Sequence, residues 1–187
     1  MIAPLIISGP SGVGKTYLEK YLIQNHNFKR IQSTTTRPIR QGEVHRLDYN
    51  FITEERYKQL EKQAHFITSS YHLKAWYAYE KSLVDEIINE NKIPISVTVP
   101  TIVPQFISVY PTTIAIYLKP VSNELLIKRM HQRGDPEEKI QERLQHEQEQ
   151  NEYFERDIQH LYKAVFLVTE SNFDEIVKDI LDITSPY

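Results

Sequence analysis

A chain of 187 residues, 40% hydrophobic and 25% charged, has an ordinary globular composition. It is long enough for one domain with a small insert, burying on the order of 70% of the unfolded surface. A net charge of −3 carries no polyanion-binding signal, and no apolar run approaches the roughly 18 residues of a membrane span, so neither nucleic acid nor membrane is expected as a partner. The absence of cysteine excludes a disulfide framework, a thiolate metal site and a thiol nucleophile. The N-terminal residues lack the charged and apolar regions of a signal peptide, which makes a cytoplasmic location the expectation.

In chain order, Ile2–Ser8 reads as a buried parallel strand, nearly all apolar and rich in β-branched residues. Gly9-Pro10-Ser11-Gly12-Val13-Gly14-Lys15-Thr16 follows it and fits the phosphate-binding pattern G-x-x-x-x-G-K-[S/T]. Tyr17, Leu18, Tyr21 and Leu22 then recur at helical spacing up to about Asn25. Strand, loop and helix together are the context that the pattern requires. Such a loop turns its backbone N–H groups into one concavity, Lys15 reaches toward the β- and γ-phosphates of a nucleoside triphosphate, and the Thr16 hydroxyl suits Mg²⁺. The binding set is therefore Gly9, Ser11, Gly12, Val13, Gly14, Lys15 and Thr16, with ATP as donor and Mg²⁺ as cofactor.

Phe28–Ser33 is a short strand candidate, and Thr34–Asp48 reads as a charged loop. Tyr49–Ile52 looks like a strand, Thr53 an N-cap for a helix carrying Glu54 and Glu55 in its first turn, and Phe66–Tyr79 an aromatic pair of strands. Helices are expected over Glu80–Asn91, Ile102–Val109, Asn123–Gln132 (capped by Ser122) and Phe173–Ile183, and strands over Lys92–Val99, Thr112–Leu118 and Ala164–Val168. Asp135 as N-cap, Pro136 at N1 and Glu138 at N3 open a further helix running to about Asp157. Its segment Gln145–Glu152 is polar all round, which suits solvent or a position over a cleft. Strands alternating with helices predict an α/β fold, a mostly parallel sheet covered on both faces; residues 34–79 break the rhythm and read as an inserted lobe.

Only five glycines occur, three of them in the loop; Gly42 and Gly134 each sit beside arginines. Around Gly42, Arg37 and Arg40 can converge on one phosphate, Tyr49 adds a neutral donor and Glu43 can orient an arginine. Around Gly134, Arg129 and Arg133 share a helix face and Arg143 follows on the next helix, a set able to neutralise a transferring phosphoryl group. The seven histidines are scattered without metal-ligand spacing.

Taken together, the P-loop, S-T-T-T-R-x-x-R-x-G-E-V with D-Y-N-F, and K-R-M-x-x-R-G with a downstream I-x-x-R-L resemble the guanylate kinase family over nearly the whole chain. The resemblance implies a P-loop, three-layer, doubly wound parallel sheet (core 1–33 and 80–187). It also implies an inserted acceptor-binding lobe (34–79) and an arginine-bearing helical lid (about 130–150). The reaction implied is ATP + GMP to ADP + GDP with Mg²⁺. Lys15, Arg129, Arg133 and Arg143 would act on the transferring phosphate. Arg37, Arg40, Tyr49 and Tyr77 would hold the monophosphate, with Glu43 beside them and Ser33, Thr68 and Tyr79 toward the base. Oligomeric state stays open, with a homodimer among the options.

The sequence also departs from that pattern. Thr68 stands where the family carries a guanine-reading glutamate, and Tyr79 replaces a small hydroxyl residue. Val97-Thr98-Val99-Pro100-Thr101-Ile102 lacks the acidic D-x-D-x-x-G, and the lid between Gly134 and Ile140 is one residue short. The losses fall on base recognition and the strand beside the acceptor. Two other readings therefore stay open: a kinase of a phosphorylated sugar such as ribose 1,5-bisphosphate, and a non-catalytic guanylate kinase-like binding module.

Overall fold

The computed structural model describes residues 2–72, 74–132 and 134–185. In chain order the elements are β1 (Leu5–Ser8), α1 (Lys15–Asn25), β2 (Phe28–Arg30), β3 (Thr34–Thr35), β4 (Asn50–Phe51) and α2 (Glu54–Lys62). Next come β5 (Phe66–His72), β6 (Ala75–Glu80), α3 (Lys81–Asn89), β7 (Ile93–Val97), α4 (Val103–Val109) and β8 (Ile114–Pro120). The chain closes with α5 (Asn123–Gln132), α6 (Glu137–Tyr153), β9 (Ala164–Val168) and α7 (Phe173–Thr184).

β2, β7, β1, β8 and β9 form one parallel sheet in that order. Side chains alternate across it. Leu5 and Ile7 pack with Leu18, Leu22, Leu126, Met130, Val177 and Ile180, so α1, α5 and α7 cover one face. Ile6 points the other way, among Val84, Ile87, Val103 and Phe106, beneath α3 and α4. This gives three layers. From β1 the chain moves to one side for β2 and β7 and to the other for β8 and β9. That reversal opens a crevice beyond the carboxyl end of β1, where α/β sheets bind their ligands.

A second sheet, in the order β4-β3-β6-β5, carries residues Thr34 to Glu80. The Thr34–Asp48 stretch expected to be loop thus begins with a strand. Thr34 and Thr35 are fully buried, paired to Asn50 and Phe51 on one side and to Ala78 and Tyr77 on the other; two consecutive β-branched residues suit that ladder. The Glu80 carboxylate ties this sheet together, accepting from the Thr34 hydroxyl and from Asn50 Nδ2 at 2.7 Å. α2 starts as expected, with Thr53 Oγ1 accepting from Arg56 N at 3.2 Å. It seats the Tyr57 ring 5.2 Å from Trp76.

α6 departs from expectation at both ends. Pro136, not Asp135, is its N-cap, because the Asp135 carboxylate pairs with Arg143 Nη1 at 2.6 Å. The α-helix ends at Tyr153, and Phe154–Ile158 forms a wider π-type turn. That turn brings Phe154 and Ile158 together onto Tyr117, with the Phe154 and Tyr117 rings stacked at 3.7 Å. Between these ends the polar stretch of α6 lies over the crevice.

Candidate active site

β1 delivers the loop and α1 receives it. Gly9 has φ 143°, and a Cβ there would meet the Leu118 carbonyl oxygen at 2.3 Å; glycine is required by both conformation and space. Gly14, at φ 113°, precedes a helix with no side-chain cap, so the first-turn N–H groups of α1 remain available to an anion. Lys15 folds back on the loop, its Nζ donating to the carbonyls of Gly9 at 2.6 Å and Pro10 at 2.9 Å. Thr16 is exposed.

The loop already holds one anion from the protein itself. Glu147 Oε1, from α6, accepts from Ser11 N at 2.9 Å and Ser11 Oγ at 2.7 Å. A carboxylate on a P-loop N–H uses the same electrostatics as a phosphate. Glu147 also lines a cavity of about 290 Å³ with Gly9, Ser11, Lys15 and the carboxyl end of β7. The sequence reading missed this residue individually. The available signal was spacing: Ile140, Leu144, Glu147 and Asn151 recur along one face of α6, with Ile140 buried and Asn151 accepting from the Tyr117 hydroxyl.

Arg129 braces the loop from α5. Its Nη1 donates to Val13 O at 2.8 Å and its Nη2 to Thr169 O at 3.4 Å, and it shares a cleft with Lys15 and Thr16. Arg143 is turned instead toward Asp135. Arg133 lies outside the described residues.

A larger cavity of about 480 Å³ lies behind the loop. Tyr17, Leu118, Thr169, Asn172 and Phe173 are among its walls. Tyr17 is 65% exposed yet its ring sits 4.9 Å from that of Phe173. Thr169 and Asn172 were not singled out from sequence. The turn they form, Asn172 Oδ1 accepting from Thr169 N at 3.0 Å, joins two residues that a linear motif search passes over.

On the other side of Thr16 is a cavity of about 320 Å³ lined by Thr16, Ser33, Glu43, Tyr49 and Tyr79, together with Glu19 and Arg30. Arg37 and Glu43 face each other in a two-bond pair, Nη1 to Oε2 at 3.0 Å and Nη2 to Oε1 at 2.7 Å. Arg40 joins through its backbone N–H to Glu43 at 2.8 Å, while the residue is exposed. The Arg37 guanidinium lies 5.3 Å from the Tyr49 ring centre, and Tyr49 lies 6.2 Å from Tyr77. The pairing holds Glu43 below the usual carboxylate range and raises Arg37 further. Tyr79 bonds Ser96 Oγ at 2.8 Å and packs edge-on to Phe106. Thr68 does not reach this wall: it is 5% exposed, on β5 opposite Tyr79. Paired across adjacent antiparallel strands, Thr68 and Tyr79 share one face of the sheet, so Thr68 sits beside the cavity wall without lining it.

A parallel sheet whose first strand passes through this loop into a helix, with a second polar pocket meeting it at Thr16, defines a P-loop phosphotransferase. Comparisons with known proteins narrow the class. The guanylate kinase family model matches residues 1–186. The guanylate kinase of Prochlorococcus marinus is 33% identical over 181 residues, covering 96% of this chain and 95% of that one. That of Helicobacter pylori is 37% identical over 147 residues, covering 75% and 69%. The crystal structure of guanylate kinase from Anaplasma phagocytophilum superposes with a TM-score of 0.61 at 20% identity, over 97% of this chain and 83% of that one, which shows a shared fold. The chain belongs to the guanylate kinase family, the nucleoside monophosphate kinases of the P-loop class.

Proposed function

We propose that the protein transfers the γ-phosphoryl group of ATP to GMP, forming ADP and GDP. The observation that carries this is the position of Thr16. It lines both the cleft around the loop and the cavity beside Arg30 and Tyr49, so two phosphates would meet at one side chain. Adenine suits the cavity between Tyr17, Leu118 and Phe173. The triphosphate would follow the loop N–H groups, displacing Glu147 from Ser11, and Lys15 would leave the Gly9 and Pro10 carbonyls for the β- and γ-oxygens. Arg129, already anchored on the loop, would offset charge as the phosphoryl group moves. Arg133 and Arg143 would join it from a closing lid of about residues 130–150, Arg143 by exchanging Asp135 for phosphate.

The acceptor lobe, residues 34–79, would hold the monophosphate through Arg37, Arg40, Tyr49 and Tyr77, with Glu43 orienting Arg37 and with Ser33 and Tyr79 at the base end. The acceptor phosphate is already an anion, so positioning and neutralisation, rather than a general base, set the rate. Among the described residues, no group of three or more His, Cys, Asp or Glu could hold a metal. The Thr16 hydroxyl and the phosphate oxygens would therefore be the ligands of Mg²⁺, completed by water. When bound, Mg²⁺ would neutralise β- and γ-phosphate charge. No helix among the described residues is long and apolar enough to cross a membrane; the cytoplasm is the proposed place of action.

A coupled ADP-release assay across GMP, dGMP, AMP, CMP, UMP and ribose phosphates tests the reading. Turnover with GMP well above the others supports it. Activity confined to a ribose phosphate, or none with any nucleotide, overturns it.

A further inference from the structure

The acceptor cavity contains an ion pair that the phosphate chemistry does not use. Glu19 lies on α1, one turn beyond Thr16, and its side chain is 6% exposed; Arg30 ends β2, with its side chain 35% exposed. Arg30 Nη2 donates to Glu19 Oε2 at 2.5 Å. Both residues line the cavity with Ser33, Tyr49, Tyr79 and Ser96. Among the described residues, the one buried side-chain nitrogen or oxygen without a hydrogen-bond partner is Gln150 Oε1. The second Glu19 oxygen, which has no bond within the protein, therefore opens onto the cavity rather than being sealed in.

Stability is a poor reason for such a pair. Desolvating two charges offsets most of their attraction, and apolar side chains of similar size would hold α1 to β2 as well. Leu18, Leu22 and Phe28 already pack these elements together. What the pair adds is a fixed donor beside a fixed acceptor on the wall of a pocket. Thr68, the residue at the position of the guanine-reading carboxylate, does not line that pocket.

We propose that Glu19 and Arg30 form the base-reading element of the acceptor cavity, Glu19 accepting from the N1–H and N2–H of a guanine ring while Arg30 donates to its O6. Guanine presents these three groups in a row. Hypoxanthine lacks the 2-amino donor, and adenine replaces the carbonyl with an amine. A carboxylate held by an arginine cannot rotate away, so a base without the matching donors leaves a desolvated charge unpaired, and this is where discrimination arises.

The inference rests on a nucleoside monophosphate as acceptor, and one set of measurements separates the two readings. The kcat/KM for GMP and IMP at saturating Mg-ATP, the Kd for GMP without ATP and the thermal midpoint are measured for the wild type, Glu19→Gln and the double variant E19L/R30M. Glu19→Gln is expected to raise KM and Kd for GMP about 10- to 100-fold. KM for ATP should be unchanged, and the GMP-to-IMP ratio should fall toward one. The double variant fills the space with apolar groups and is expected to keep the wild-type midpoint while losing the same selectivity, so a folding defect in Glu19→Gln would not obscure the result. Wild-type selectivity and GMP affinity retained in the double variant would make the pair a structural tie and overturn the inference. A wild type that phosphorylates no nucleoside monophosphate would overturn the proposed function instead, and the GMP Kd would still report on Glu19.

Discussion

The loop after β1 and the cavity beside Arg37 meet at Thr16, yet under the proposed function they would recognise phosphate by different means. The loop works with backbone: glycines at positive φ, an uncapped helix start, and one lysine. The acceptor cavity works with side chains drawn from α1, β2, the Arg37–Tyr49 loop and β6, each held by a partner of its own, such as Glu43 for Arg37 or Ser96 for Tyr79. A backbone site changes little when neighbouring side chains change. A side-chain site can lose one reader and recruit another from a different element; here Glu19 and Arg30 line the cavity and Thr68 does not.

The sharpest way to break this comparison is at the one side chain the loop depends on. Lys15→Ala is expected to lower kcat about 100- to 1,000-fold in the ADP-release assay; a loss under tenfold would mean the backbone alone carries the donor phosphates. On the other half, Arg37→Met leaves Glu43 with the Arg40 N–H but without its guanidinium partner beside an anion site. It should raise KM for the acceptor about 10- to 100-fold without moving KM for ATP, and an equal rise for both substrates would show that the halves are not separable.

Gly9→Ala probes the backbone itself. With a Cβ 2.3 Å from Leu118 O at positive φ, the variant should lose about 1–3 kcal/mol in urea unfolding. Wild-type stability would show that the loop can shift. A smaller effect is expected at the lid: Glu147→Gln weakens the carboxylate's hold on Ser11, so ATP or pyrophosphate should bind about 3- to 10-fold more tightly by calorimetry. Weaker binding would show that Glu147 helps the nucleotide rather than competing with it.

The smallest effect concerns pH. Arg37 holds Glu43 below its ordinary value of 4.5. The folded state favours the ionised form, so the contribution is complete above that value and is withdrawn as pH falls through the lower folded one. The stability difference between wild type and Glu43→Gln should be flat from neutral pH down to about 5 and shrink only in more acid solution. A difference that shrinks toward alkaline pH would refute the assignment.

Much of the core was legible because its elements obey one period each. The alternation of Leu5, Ile6 and Ile7 between two clusters and the helical spacing of Leu18 and Leu22 are local patterns that tertiary packing then uses unchanged. The strand at Thr34–Thr35 was not legible, since two threonines beside charged residues read as loop until Asn50 and Ala78 arrive to pair with them. The start of α6 was misread for a related reason: a good capping sequence at Asp135 yields to a stronger ionic partner eight positions on.

By itself the sequence determined the strand, glycine loop and helix proposed for the donor, because a cradle made of backbone needs only consecutive residues in the right order. The tertiary structure decided the rest: that Glu147 reaches Ser11 from α6, that the cavity wall includes Tyr79 but not Thr68, and that Glu19 and Arg30 come into it together. Those facts depend on how separate helices and strands pack, and no local spacing encodes the distance between them.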